Sequence, residues 1–184
     1  LTLDELLSLS DIVTLHVPFT TEGPDKTAGM ASGEFFARMR PGSAFINCSR
    51  GPVMQDGPLL DALRKGHIAY AAIDTWNHEP GIDRELLARA FCATPHIAGY
   101  SVQGKAAGTA AVVRSVSELY GLPLTEWYPP QVTPTVPDRS VTWDGLQRSL
   151  PRYFDIEAET TYLKQHPERF EELRNNYPYR TEYF

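Results

Sequence analysis

Apolar residues along this chain follow two alternating patterns: short continuous runs, and stretches where they return every three or four positions. Leu3, Leu6 and Leu7 share one face of an opening helix. Ile12 to Val17 reads as a buried strand ending at Pro18, which has no N–H for a ladder. Ser32 is placed to cap a helix carrying Phe35, Phe36 and Met39, stopped by Pro41-Gly42. Ala44 to Asn47 is the next strand. Asp56 with Gly57-Pro58 then opens a helix bearing Leu59, Leu60 and Leu63 and closing at Gly66. Ile68 to Ile73 is a third strand, Asp83 caps a short helix with Leu86 and Leu87, and Phe91 to Ala93 is a fourth strand before Pro95.

Strands that alternate with helices of this length predict βαβ units, and so an α/β fold with a parallel sheet and ligands at the C-terminal ends of its strands. The polar residues His16, Asn47 to Arg50, Asp74 and His96 all fall at such ends. Ser101 to Tyr120 then reads as a long helix rich in small residues. Beyond Leu122 the composition changes, with six of the 15 prolines between Pro123 and Pro151. Aromatics, short strand-like pieces and a charged helix from about Pro167 to Arg174 predict a small α+β appendage.

Composition adds limits. At 184 residues, 42% apolar and 22% charged, the chain has the make-up of an ordinary globular protein. Its net charge of 17 − 23 = −6 argues against nucleic acid as a partner. No run reaches the length of a membrane span, and the N-terminus lacks the basic-then-apolar layout of a signal peptide. Cys48 and Cys92 are too few for a disulfide framework, and a reduced, cytoplasmic setting is expected. His16, His67, His78, His96 and His166 show no metal-ligand spacing, so no metal is expected. A serine hydrolase is disfavoured because the chain has no Gly-x-Ser-x-Gly elbow. The chain opens at Leu1, directly in a helix, as an internal segment would, and an N-terminal truncation is expected.

Three signals carry chemistry. Asn47-Cys48-Ser49-Arg50-Gly51 follows an apolar strand, and a guanidinium there is a planar fork suited to a carboxylate. Asp74-Thr75-Trp76-Asn77-His78-Glu79-Pro80 places one carboxylate at a strand end and a second on its loop. In Thr94-Pro95-His96-Ile97-Ala98-Gly99-Tyr100, a histidine that titrates near neutrality can exchange a proton with a substrate hydroxyl. Singly, each has a plainer reading: a surface arginine, a solvated loop acid, a structural histidine. Together they make one site for removing hydride from a hydroxyl-bearing carbon. A base takes the hydroxyl proton, a cation holds the substrate carboxylate, and a carboxylate orients the base.

The order His16-Val17-Pro18, Asn47 to Gly51, Asp74, Glu79-Pro80 and Pro95 to Gly99 resembles the D-isomer-specific 2-hydroxyacid dehydrogenases over roughly residues 1 to 120. The resemblance implies Arg50 as carboxylate anchor, Glu79 as partner of the histidine and His96 as general acid/base. It implies NAD as cofactor, with Val17, Cys48, Ser49, Arg50, Asp74 and Gly99 lining it and Asp74 touching the nicotinamide carboxamide. Within the family, Ala98 to Thr109 and the tail from Glu171 to Arg180 resemble the erythronate-4-phosphate dehydrogenases, which implies Tyr100 as a substrate contact. That branch oxidises a small phosphorylated hydroxy acid, 4-phospho-D-erythronate, in making pyridoxal phosphate, and is expected to be a homodimer.

The implied organisation is the C-terminal half of a Rossmann-type domain over residues 1–100, a helix returning to the substrate domain over 101–121, and a C-terminal dimerisation domain over 122–184. Asn77-His78 departs from the acidic-proline pair more usual before the glutamate. No Gly-x-Gly-x-x-Gly occurs, so that half of the cofactor site is expected before Leu1. Two alternatives stay open. One is another substrate for the same chemistry, of the phosphoglycerate or glyoxylate type. The other is an NAD-sensing, corepressor-like protein without turnover.

Overall fold

The computed structural model describes residues 1–135 and 140–182. In chain order the elements are α1 (Leu3–Leu9), β1 (Ile12–Leu15), α2 (Gly33–Arg38), β2 (Ser43–Asn47), α3 (Asp56–Arg64), β3 (Ile68–Ile73), α4 (Arg84–Arg89), β4 (Cys92–Ala93), α5 (Val102–Tyr120), α6 (Trp143–Tyr153), α7 (Ile156–Gln165) and α8 (Phe170–Asn175). The chain forms two compact units, Leu1–Ala98 with Ile156–Asn176, and Gly99–Asp155 with Tyr177–Phe184.

The first unit is built on a four-stranded parallel sheet in the order β1-β2-β3-β4. The α/β reading therefore holds, and its starts and stops rest on identifiable groups. Thr2 and Glu5 form a reciprocal capping box on α1, while the side chains of Ser32 and Asp83 cap α2 and α4. Gly66, at φ 68°, ends the α3 segment in a left-handed conformation that suits glycine. Inside, Phe36 meets Phe45 edge to face with ring centroids 5.0 Å apart, and Phe35 packs on both.

The α7–α8 segment belongs to this same core. Leu163 and Phe170 are fully buried within it, and Leu173 packs against it. The Thr160 hydroxyl accepts the Ala93 N–H at 3.0 Å, so it satisfies a ladder group of β4. Lys164 Nζ donates to the carbonyls of Ala88 and Ala90 at the end of α4. Residues expected in a separate tail thus complete the α/β unit.

The second unit contains α5 and α6. Ser101 caps α5, and Gly121 at φ 63° closes it. The segment after Tyr177 pairs alongside the start of α5: Val102 N–H donates to Arg180 O at 2.9 Å, and Ser101 and Arg180 form an isolated parallel bridge. The strand-like pieces expected beyond Leu122 are otherwise helices and irregular chain among the described residues. Residues 136–139 and 183–184 of the expected 122–184 module lie outside the described residues.

Candidate active site

The C-terminal ends of β1, β2, β3 and β4 bring the first unit's polar residues together. Asn47, fully buried at the end of β2, ties two of those ends. Its Nδ2 donates to the carbonyls of Arg50 and Thr75, both at 3.3 Å, and its Oδ1 accepts from Ser49 N and Oγ. Asp74 ties β3 to the segment after β4. Its Oδ1 accepts from Thr94 Oγ1 and Ile97 N at 2.6 and 2.7 Å, and its Oδ2 accepts from Ala98 N at 3.1 Å. Oδ2 so keeps room for one further donor, which is compatible with a carboxamide.

Glu79 and His96 meet on this scaffold. Glu79 Oε2 lies 2.9 Å from His96 Nδ1, and Oε1 accepts the Trp76 N–H at 2.8 Å. The loop between is fixed at its middle by Asn77, whose Nδ2 donates to Met54 O and to Asp56 Oδ1 at the start of α3. The departure at Asn77-His78 is therefore a structural tie that leaves Glu79 in position. Burial raises the Glu79 carboxyl, but the His96 hydrogen bond, the Trp76 amide and the charges of His96 and Arg174 outweigh it, so its pKa is lowered overall. His96 sits at φ 59°, a region non-glycine residues seldom adopt, and such strain collects at functional sites.

His16, Val17, Pro18, Phe19, Cys48, Ser49 and Arg50 line a cleft of about 660 Å³ at the ends of β1 and β2. Arg50 is exposed, and its Nη1 donates to the Ser49 carbonyl at 2.6 Å. Burial pushes the Cys48 thiol up to about 11, with the Asp74 charge adding to it, so the thiol is uncharged at pH 7. A second cleft of about 680 Å³ opens between α2 and α3 beside Pro41 and His67, at the opposite ends of β2 and β3. It holds none of the strand-end residues, and ligands of parallel sheets bind at the other end.

Gly99 and Tyr100 belong to the second unit. Tyr100 stands in a tyrosine cluster, 6.3 Å from Tyr177 and 5.6 Å from Tyr179 between ring centroids, with Lys105 Nζ 4.2 Å over its ring.

Two contributors were not singled out from the sequence. Asn47 was legible only as part of its motif. Arg174, on α8, brings Nη1 within 3.5 Å of Glu79 Oε2 across 95 residues of sequence, a separation that leaves no local signal.

A parallel sheet with a carboxylate–imidazole pair and an arginine at its strand ends defines a class, and comparison with known proteins agrees. Residues 1–98 match the D-isomer specific 2-hydroxyacid dehydrogenase, NAD binding domain, and the chain belongs to that family. Over 182 residues it is 41% identical to an erythronate-4-phosphate dehydrogenase of Bacteroides thetaiotaomicron, covering 98% of this chain and 51% of that protein. A protein of the same name from Cronobacter sakazakii is 36% identical, over 99% of this chain and 50% of its own length. The chain thus spans about half the length of these relatives. Among solved structures, apo D-mandelate dehydrogenase of Rhodotorula graminis matches 72% of this chain and 38% of its own at 29% identity and a TM-score of 0.56. D-lactate dehydrogenase of Aquifex aeolicus, solved with NAD and lactic acid, matches 66% of this chain and 40% of its own at 29% identity and a TM-score of 0.53.

NAD is the cofactor of the matched domain. The strand-end cleft fits its nicotinamide end: no acidic residue lines it, its thiol is uncharged, and backbone of two strand ends is within reach.

Proposed function

We propose that the protein carrying this chain oxidises the C2 hydroxyl of 4-phospho-D-erythronate to the 2-oxo acid with NAD, in the synthesis of pyridoxal phosphate. The Glu79–His96 pair, 2.9 Å apart at the strand ends, carries this reading. The relatives' shared name supplies the substrate.

In this reading His96 is the general base. Glu79, ionised and acceptor-only, keeps the ring proton on Nδ1 and turns Nε2 to the substrate hydroxyl. Nε2 takes that proton as the carbonyl forms, and NAD, when bound, supplies the hydride acceptor. Arg50 holds the substrate carboxylate through the guanidinium N–H groups not spent on Ser49 O, which fixes the C2 carbon in line. Val17, Cys48, Ser49, Arg50, Asp74 and Gly99 serve the cofactor, and Tyr100 the substrate.

We further expect a cytoplasmic homodimer whose contact lies in the second unit. There Trp143, Leu150 and Tyr153 of α6 are exposed at helical spacing and form an apolar stripe open to a partner.

The test is a steady-state assay of the whole protein, following NADH with 4-phospho-D-erythronate, 3-phosphoglycerate and glycolate. A kcat/KM at least about 100-fold higher for 4-phospho-D-erythronate supports the assignment, a discrimination a site built around a polar group readily reaches. Preference for another hydroxy acid overturns the substrate. No turnover with any of them overturns the enzyme.

A further inference from the structure

We infer that Arg174 is a positioning residue of the site: carried in by α8, its guanidinium holds the Glu79 carboxylate on Nδ1 of His96. The inference rests on the reading of His96 as the group that moves the proton.

Three observations lead there. First, Glu79 Oε2 is shared, accepting from His96 Nδ1 at 2.9 Å and facing Arg174 Nη1 at 3.5 Å, while Oε1 is taken by the Trp76 amide. At 3.5 Å the arginine contact is too long for a strong hydrogen bond, so its work on the carboxylate is electrostatic. Second, α8 is not a loose tail. Phe170 is fully buried, Leu173 packs on the core of the first unit, and Arg169 grips Glu172 through Nε and Nη2 at 2.9 and 2.6 Å. The helix preceding it is tied to β4 through Thr160 and to α4 through Lys164. Arg174 is therefore delivered by an element fixed to the sheet.

Third, the charges around Glu79 are unequal in kind. The two that act on it are His96, across the hydrogen bond, and Arg174, from α8. Asp56 meets this loop at Asn77 and His78, and it is not among the groups that act on Glu79. Asp74 is engaged with Thr94, Ile97 and Ala98. His96 gains and loses its charge in each turnover; a guanidinium never does. A guanidinium that stays charged attracts the carboxylate equally whether His96 is charged or neutral, so Oε2 keeps its place against Nδ1 in both halves of the cycle and Nε2 stays free for the substrate.

The test is NMR titration of the 184-residue chain, reading the Glu79 side-chain carboxyl and the two ring nitrogens of His96. Wild type is compared with Arg174→Gln and Arg174→Lys, and an amide fingerprint confirms that each variant is folded. In wild type His96 should hold its neutral-state proton on Nδ1. Arg174→Gln should raise the Glu79 midpoint by about one pH unit, tenfold in its ionisation constant, and let the proton spread to Nε2. Arg174→Lys should restore most of both. A folded Arg174→Gln with an unmoved midpoint and an unchanged tautomer overturns the inference.

Steady-state kinetics of the whole protein add a second arm. Loss of kcat with KM kept, rescued by lysine, is expected; a raised KM with kcat kept would place Arg174 on the substrate and overturn positioning through Glu79. Should the midpoint move as expected while the wild-type protein turns over no hydroxy acid, the proposed reaction fails and the Arg174–Glu79 coupling stands.

Discussion

Gly51 lies against the backbone of Trp76 so closely that a Cβ on it would sit 1.9 Å from the Trp76 carbonyl oxygen and 2.6 Å from Asn77 N. That approach presses the loop bearing Arg50 onto the loop bearing Glu79, and neither backbone can yield without moving a site residue. Gly51→Ala should therefore cost about 3 kcal/mol, the upper end for overpacking a buried position. Urea unfolding of the 184-residue chain measures it through the midpoint at constant slope. A loss well under 1 kcal/mol would mean that the two loops are free to separate.

His96 and Arg50 should fail in different ways in the whole protein. His96→Asn removes the proton acceptor and should lower kcat roughly 10²–10⁴-fold with NAD affinity little changed. Arg50→Lys keeps the charge but loses the fork, so it should raise KM and depress kcat together. Near-normal turnover in the asparagine variant would remove His96 from the chemistry, and a lysine variant equal to wild type would remove Arg50 from substrate positioning.

The strands were legible because each is a short apolar run bounded by polar or turn residues, and β3 falls at Ile68–Ile73 as read, while β1 stops at Leu15, short of the expected Val17. The strand-end residues followed from that, since the C-terminal ends of parallel strands share one edge. The tail was harder. In α7, Thr160-Thr161-Tyr162 has the composition of a strand, yet packing of Leu163 into the core and the Thr160 bond to β4 make it a helix. In α6, Pro151 stands in the last turn and removes one i→i−4 bond there, and the helix closes at Tyr153. Arg174 was out of reach, since only tertiary structure brings α8 to Glu79.

The lowered Glu79 carboxyl has a pH signature. Its folded pKa lies below the ordinary value of 4.5, so its contribution to stability is full above that value and is lost as pH falls through the folded one. The stability difference between wild type and Glu79→Gln should hold through the neutral range and shrink as pH falls below 4.5 and through the lowered folded value. Urea midpoints for both proteins across that range decide it. A difference that persists unchanged in acid would mean the carboxylate's charge contributes nothing.

In the proposed homodimer, the apolar face of α6 should form the contact. Deleting everything beyond Gly121 is a poor test, because Ile156–Asn176 completes the first unit and its removal would strip cover from β4. Trp143→Glu and Leu150→Glu put charge on the exposed face without touching that core, since neither residue is buried. Light scattering on the whole protein should show each variant shifted to monomer with its fold intact by circular dichroism. A dimer that survives both substitutions places the contact elsewhere.

The 184-residue chain should bind NAD weakly and read only one end of it. A pyrophosphate is held by backbone N–H groups of a glycine-rich turn entering a helix, and no Gly-x-Gly-x-x-Gly occurs in this sequence. What the strand ends offer is the cleft walled by Val17, Cys48, Ser49 and Arg50. Without the phosphate contacts, most of the affinity of a dinucleotide is missing, and a Kd on the order of 1 mM, about −4 kcal/mol, is expected. Nicotinamide mononucleotide carries the same end, so calorimetric titration should give the two ligands similar affinities. Substituting Arg50 by Gln should weaken both alike. Micromolar binding of NAD alone, with the mononucleotide much weaker, would mean that this chain holds the second phosphate and adenosine through groups other than a glycine-rich turn.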